Sequence, residues 1–151
     1  MFINISNHPS SKWSQEQIIA AKKLGGDIID IPFPIVPTRS STKEIEAIAD
    51  IIHHKIMSLA AKERKTTVMI QGEFTLTHLI TNVLIRKGIT CVCACSDRVV
   101  NKIVLADGTV KKEVKFKFVQ FRPYSQYGIP YSQYGIWIYV AAALMSGLFF
   151  R

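Results

Sequence analysis

The chain has 151 residues, 48% of them hydrophobic, which is enough for one domain with its own core. A net charge of +8, from 19 basic and 11 acidic residues, favours an anionic partner such as a nucleotide, a nucleic acid or an acidic membrane. A merely soluble basic surface fits the same charge. Three cysteines in one alternating run (Cys91, Cys93, Cys95) exclude a disulfide framework and favour the cytoplasm.

The first part of the chain alternates short apolar runs with amphipathic ones. Phe2 to Ser6 predicts a first strand. Ser14 is a typical N-cap for a first helix, which ends at Gly25-Gly26. Asp27 to Ile31 predicts a second strand, and a proline-rich loop follows it.

The middle of the chain repeats this alternation with longer helices. Ser41 or Thr42 caps a second helix, whose apolar residues recur at spacings of three and four. Thr67 to Ile70 predicts a third strand, residues 75 to 87 a third helix, and Ile89 to Cys95 a fourth strand. Strands that alternate with helices in this way predict a parallel sheet with helices packed on it.

The pattern changes after Arg98. Val99 to Leu105 and Val110 to Phe121 alternate between apolar and polar residues around Asp107-Gly108, which is a strong signal for a β-hairpin. The predicted fold class is therefore α/β, with a mostly parallel sheet flanked by helices and a C-terminal β-hairpin.

The last residues differ from the rest in kind. Tyr124 to Ile129 is repeated as Tyr131 to Ile136, and an uncharged stretch follows as far as Phe150. We divide the chain into a domain over residues 1–124 and an apolar tail over residues 125–151. The tail is either a membrane anchor through residues 135–150, slightly short of the roughly 20 residues that span a bilayer, or a helix for oligomerisation.

Polar residues follow three of the predicted strands: Ser6-Asn7-His8, Gln71-Gly72-Glu73 and Ser96-Asp97-Arg98. In an open parallel sheet, ligands bind where strands end and helices begin, because free helix amides attract anions there. These three strand ends predict one crevice for a negatively charged ligand.

Three segments, Ile3 to His8, Met69 to Phe74 and Phe118 to Tyr124, resemble small CRISPR-associated CARF-like proteins. Members of that group are similar to stand-alone ring nucleases, which bind and cleave cyclic oligoadenylate second messengers. The resemblance covers residues 1–124 and implies a Rossmann-like domain in antiviral defence. It also implies a homodimer, with cyclic tetra-adenylate lying across the two-fold axis. Where relatives often show Thr-Thr-x-Arg, this chain has Cys95-Ser96-Asp97-Arg98.

The implied reaction is attack by a ribose 2′-hydroxyl on the adjacent phosphorus, which ends type III signalling and needs neither a metal nor a cofactor. His8 would protonate the departing oxygen, Lys12 would neutralise phosphate and Arg98 would grip it. Glu73 would orient a ribose hydroxyl or act as a base. Alternatively, Arg98 forms a salt bridge to Asp97, and Glu73 only interacts with the dipole of the third helix. The predicted ligand-binding residues are Ser6, Asn7, Ser10, Ser11, Gln71, Gly72, Phe74, Thr75, Thr77, Ser96 and Arg122.

Two other functions compete with a cytoplasmic ring nuclease. The first is a CARF-like sensor without nuclease activity, oligomerised through its tail or tail-anchored in the inner membrane. The second is a general nucleotide-binding enzyme, which the lack of a Gly-x-Gly-x-x-Gly loop argues against. In each case we expect no DNA partner.

Overall fold

A computed structural model of the protein describes residues 1–104 and 110–125. These residues form an α/β structure with a mixed sheet. The strands are β1 (Phe2–Ser6), β2 (Ile28–Pro32), β3 (Thr67–Gln71), β4 (Thr90–Val104) and β5 (Val110–Pro123). The α-helices are α1 (Gln15–Gly25), α2 (Thr42–Ala60) and α3 (Phe74–Arg86), and a 3₁₀ turn at Ser10–Lys12 precedes α1.

The strands lie in the order β2-β1-β3-β4-β5. β1 pairs in parallel with β2 and β3, so that Ile5 lies between Ile31 and Ile70. β3 pairs in parallel with β4, and β5 runs antiparallel to β4. The predicted α/β class and the mostly parallel pairing are confirmed.

Both faces of the sheet are covered, because alternate residues of the short strands are apolar on both sides. Ile5 and Ile70 belong to the larger core, where helices α2 and α3 pack. Phe2 and Met69 belong to a smaller core on the other face, with Ala21 of α1. The cleft described below lies on this α1 face.

The predicted helix caps at Ser14 and Ser41 are confirmed. Ser14 accepts a hydrogen bond from the Gln17 N–H, and Ser41 forms a capping box with Glu44. The apolar positions predicted for α2 include its four buried residues. The sequence also predicts an apolar stripe of Ile18, Ile19, Ala21 and Leu24 on α1, and this prediction was partly wrong, since Ile19 is 46% exposed.

The predicted end of the fourth strand at Cys95 was wrong. β4 continues to Val104, with an irregularity in its pairing between Cys95 and Ser96. β3 pairs only with the first residues of β4, and β5 supplies hydrogen-bond partners along the rest, so the strand runs on. The predicted turn at Asp107-Gly108 lies outside the described residues.

The predicted tail lies outside the described residues from position 126 onward. Within residues 1–104 and 110–125, none of the helices is both long and apolar enough to cross a bilayer.

Candidate functional site

A cleft of about 750 Å³ opens at the carboxyl ends of β1 and β3, on the face of the sheet that α1 covers. β2 lies on one side of β1 and β3 lies on the other, so the strand order reverses between β1 and β3. Ligands of open α/β sheets bind at such points. The residues that line the cleft are Ser6, His8, Lys12, Trp13, Ser14, Gln17, Met69, Gln71, Ala94, Ser96, Phe116 and Phe118.

The loop between β1 and α1 is anchored by a buried asparagine. Asn4 is 1% exposed, and its Nδ2 donates to the His8 carbonyl at 2.9 Å and to Asp30 Oδ1 at 2.6 Å. The Ser6 hydroxyl donates to Asn4 Oδ1 at 2.9 Å and accepts a bond from the His8 N–H at 3.1 Å. These bonds fix the backbone of His8 while its side chain stays exposed at the cleft.

Asp30 of β2 ties the same loop down from the neighbouring strand. Its carboxylate accepts bonds from the Ser10 N–H at 3.1 Å, from the Ser10 hydroxyl at 2.7 Å and from Asn4. Burial alone would raise the pKa of Asp30, but the hydrogen bonds from Ser10 and Asn4 outweigh it and the pKa is lowered. Asp30 is therefore an ionised anchor for the turn that carries Lys12 into the cleft.

Trp13 connects this loop to β5, whose aromatic side chains line another part of the cleft. Its Nε1 donates to the His8 carbonyl at 3.0 Å. Its ring lies 6.1 Å from the ring of Phe2 and 6.0 Å from that of Phe121 in β5. Phe118 continues the row, with its ring 4.9 Å from Phe121. Such edge-on and tilted contacts stabilise the row beyond simple burial.

Gln71, at the end of β3, closes the floor of the cleft. Its Oε1 accepts a bond from the Ala94 N–H at 3.1 Å, just beyond the last residues of β4 that pair with β3. The side-chain amide of Gln71 thus replaces a backbone hydrogen-bond partner for Ala94 at the end of the parallel pairing between β3 and β4. Its Nε2 is the group that remains to donate to a ligand.

The structure brings five of the predicted site residues together at the cleft: Ser6, His8, Lys12, Gln71 and Ser96. Sequence reasoning missed the aromatic contribution of Trp13, Phe116 and Phe118. The alternation of Phe116 and Phe118 along a strand was visible in the sequence, but the side of the cleft that they face depends on the pairing of β5 with β4.

Glu73 is the N-cap of α3, so Thr75, for which the sequence also suggests a capping role, is not the cap. The Glu73 carboxylate accepts bonds from Thr75 N at 3.0 Å, from Thr75 Oγ1 at 2.6 Å and from Leu76 N at 2.8 Å. These bonds, the one from the Thr75 hydroxyl foremost, lower the pKa of Glu73. Its predicted part in catalysis stays a prediction.

Three more predicted residues near the start of α3 lie outside the cleft lining. Gly72 packs against the ring of Phe33, since a Cβ at Gly72 would lie 2.5 Å from that ring. Phe74 is 90% exposed. The Thr77 hydroxyl is buried without a hydrogen-bond partner among the described residues.

Arg98 lies within β4 and pairs with Phe116 of β5. Ser96, two residues earlier, lines the cleft, so strand alternation places Arg98 on the same side of the sheet and farther out. Asp97 projects to the other side and pairs with Lys117, which argues against the Asp97–Arg98 salt bridge. The remaining predicted residues outside the lining are Asn7, Ser10, Ser11, Thr75 and Arg122.

The three cysteines are free, and two of them, Cys91 and Cys93, have pKa values that disfavour the thiolate. Burial raises the pKa of Cys91 to about 12, and burial together with Cys95 raises the pKa of Cys93. A reactive cysteine needs a lowered pKa, because the thiolate is the nucleophile.

The fold and the cleft together define an open α/β protein with a cleft of mixed polar and apolar lining at the carboxyl ends of its parallel strands, of a volume usual for small-molecule sites. The chain belongs to a family described as the Uncharacterized protein MJ1673 family, which matches residues 1–122. The chain matches no curated protein.

Proposed function

We propose that the cleft binds cyclic oligoadenylate and that the protein cleaves it without a metal, as a ring nuclease that ends CRISPR type III signalling. The observation that carries this proposal is the meeting of His8, Lys12 and Gln71 in one cleft at the reversal of strand order. A cation, a proton donor and an amide are the groups that phosphate, a leaving oxygen and an adenine edge require.

The finer architecture belongs to the same proposal. A Rossmann-like, CARF-like domain accounts for four parallel strands with helices between them, and a β-hairpin accounts for the antiparallel pairing of β4 with β5. Because cyclic tetra-adenylate has rotational symmetry, we propose a homodimer in which each subunit offers the same cleft to half of the ring.

In the proposed reaction, the ribose 2′-oxygen forms a bond to the adjacent phosphorus while the bond from phosphorus to the 5′-oxygen breaks. The product carries a 2′,3′-cyclic phosphate, so no water is consumed. The 2′-hydroxyl proton is lost to solvent, and His8 in its protonated form supplies a proton to the departing oxygen. Lys12 offsets the charge that builds up on phosphorus, with Arg98 as a second cation farther along β4.

The test is to incubate the purified protein with cyclic tetra-adenylate in EDTA and to separate the products by chromatography. We expect linear products that end in a cyclic phosphate, and a rate at least tenfold lower for His8→Ala. His78→Ala is a matched control, because His78 is exposed on α3 and lies outside the cleft lining. An intact ring without binding would refute the proposal. Equal rates for wild type and His8→Ala would remove His8 from the reaction.

One observation favours the second candidate, a sensor that binds the ring without cleaving it. Among the described residues that line the cleft there is no carboxylate, and the Glu73 carboxylate already accepts three bonds within α3. Where solvent alone takes the 2′-hydroxyl proton, the attack on phosphorus is slow and the ligand stays bound intact for longer. Tight binding of cyclic tetra-adenylate without turnover would support this sensor over the nuclease.

A further inference from the structure

Phe116 is an exposed aromatic residue in the lining of the cleft. It lines the cleft and yet is 71% exposed. Phe118, two residues later on the same strand, lines the cleft as well. Phe116 and Phe118 together form an apolar wall of the cleft, and apolar surface rimmed by polar residues is typical of a ligand-binding groove.

We propose that Phe116 and Phe118 clamp one nucleobase of the ligand between their rings and so select for a ligand that carries bases. This inference rests on the proposed function, since it names the part of the site that receives a base. Residues two apart on a strand are separated by about 6.8 Å, and their side chains stand roughly perpendicular to the sheet. Stacked aromatic planes lie about 3.4 Å apart, so one base fills such a gap.

The two rings differ in how firmly they are held. Phe118 packs on Phe121, which packs on Trp13, and that row is anchored on the smaller core. Phe116 lies beyond the end of the row, and among the described residues its ring has no aromatic partner. One fixed wall and one open wall allow a base to enter from solvent.

The groups around the rings suit the other parts of a nucleotide. Arg98 lies directly across the ladder from Phe116, where its guanidinium can reach a phosphate of a stacked nucleotide. Gln17 and Gln71 line the same cleft and can bond to the edge of a base. Stacking accepts every base, so any preference for adenine comes from these amides.

The experiment compares Phe116→Ala, Phe116→Leu and Phe116→Trp in the full-length protein, with cyclic tetra-adenylate as the probe and calorimetric titration as the measurement. Loss of one stacked base corresponds to roughly a 10- to 100-fold weaker Kd, so we expect that loss for Ala and Leu. Leu keeps the apolar volume if Ala impairs folding. Trp should retain the affinity, and its added fluorescence should be quenched when the ligand binds.

Val114→Ala is the matched control. Val114 lies on the same side of β5 as Phe116 and is 41% exposed, but it does not line the cleft. We expect its Kd to stay within about twofold of wild type, on the scale of neutral surface substitutions. Light scattering coupled to size exclusion reports the oligomeric state of every variant.

The outcomes separate the clamp from the proposed function. Binding by wild type with an unchanged Kd for Phe116→Leu would overturn the clamp and leave the proposed function standing. A wild type that binds no cyclic tetra-adenylate would overturn both. A loss of oligomers in Phe116→Ala and Val114→Ala alike, with binding intact, would mean that this side of β5 contacts a second copy of the chain, and the clamp would again be wrong.

Discussion

Asn4 is the residue whose removal should do the most to loosen the loop that carries His8. Asn4→Ala deletes a bond to the His8 carbonyl, a bond from the Ser6 hydroxyl and a bond to the Asp30 carboxylate. The first two contribute about 1 kcal/mol each, and the bond to a charged acceptor contributes about 1.5–3 kcal/mol. The expected loss of unfolding free energy is therefore about 3.5–5 kcal/mol. For a chain of this length, that corresponds to a fall in Tm of roughly 7–20 °C.

Urea denaturation followed by circular dichroism measures the loss, and Asn7→Ala is the matched control. Asn7 is the exposed asparagine of the same loop, and its truncation should change stability by less than about 0.5 kcal/mol. Equal midpoints for the two alanine variants would refute the reasoning that Asn4 anchors the loop.

Asn4→Asp tests the electrostatic part of the argument. It places a second carboxylate where Asn4 Nδ2 now lies 2.6 Å from Asp30 Oδ1. The two like charges raise the folded-state pKa of the new carboxyl above its unfolded value of about 3.9. The deficit in stability relative to wild type is then smallest below that pH and grows as pH rises through the raised pKa. A deficit that does not change between pH 3.5 and 7 would contradict this.

Three other perturbations are informative. Gly72→Ala places a methyl group 2.5 Å from the Phe33 ring and should lower the unfolding free energy by about 1–3 kcal/mol in denaturation experiments. A loss of ligand binding without any loss of stability would instead favour the role in ligand binding that the sequence predicts for Gly72. Tyr124→Phe removes a 3.0 Å bond to the Ile70 carbonyl and should cost about 1 kcal/mol at pH 8. Burial, followed by the neighbouring Cys93, raises the pKa of Tyr124 to about 12. The contribution of this hydrogen bond to stability is therefore complete below about pH 10 and is lost between about pH 10 and 12. If Tyr124→Phe loses stability in alkali as steeply as wild type, Tyr124 does not have this role. Glu73→Gln should lower Tm above about pH 4.5, and the gap from wild type should close as pH falls through the lowered pKa of Glu73, whereas a constant gap would exclude a charged cap.

Glu46→Gln is the control for Glu73→Gln. Glu46 is an exposed carboxylate on α2, and it lies beyond the capping box that Ser41 forms with Glu44. Its replacement should leave the acid limb of the stability profile unchanged. A matching loss in both variants would mean that net charge, rather than the cap of α3, sets the acid stability.

The local elements were predictable because their signals lie within a few residues of one another. The Ser41 cap and the spacing of Ile45, Ala49, Ile52 and Ile56 define α2 without reference to any other part of the chain. The same holds for β1 and β3, whose apolar runs end at Ser6 and Gln71. Because parallel strands share one carboxyl edge, the meeting of His8 and Gln71 at one cleft followed from these local signals.

Tertiary pairing decided the rest of the cleft. Whether Phe116 and Phe118 face it depends on the register of β5 against β4, and that register shifts at Cys95/Ser96, a place that no local pattern marks. Glu73 became a helix cap and Asp30 a loop anchor because hydrogen-bond donors came within 3.1 Å of their oxygens. Short-range periodicity thus determined which segments are strands and helices. Long-range register determined which side chains share the site.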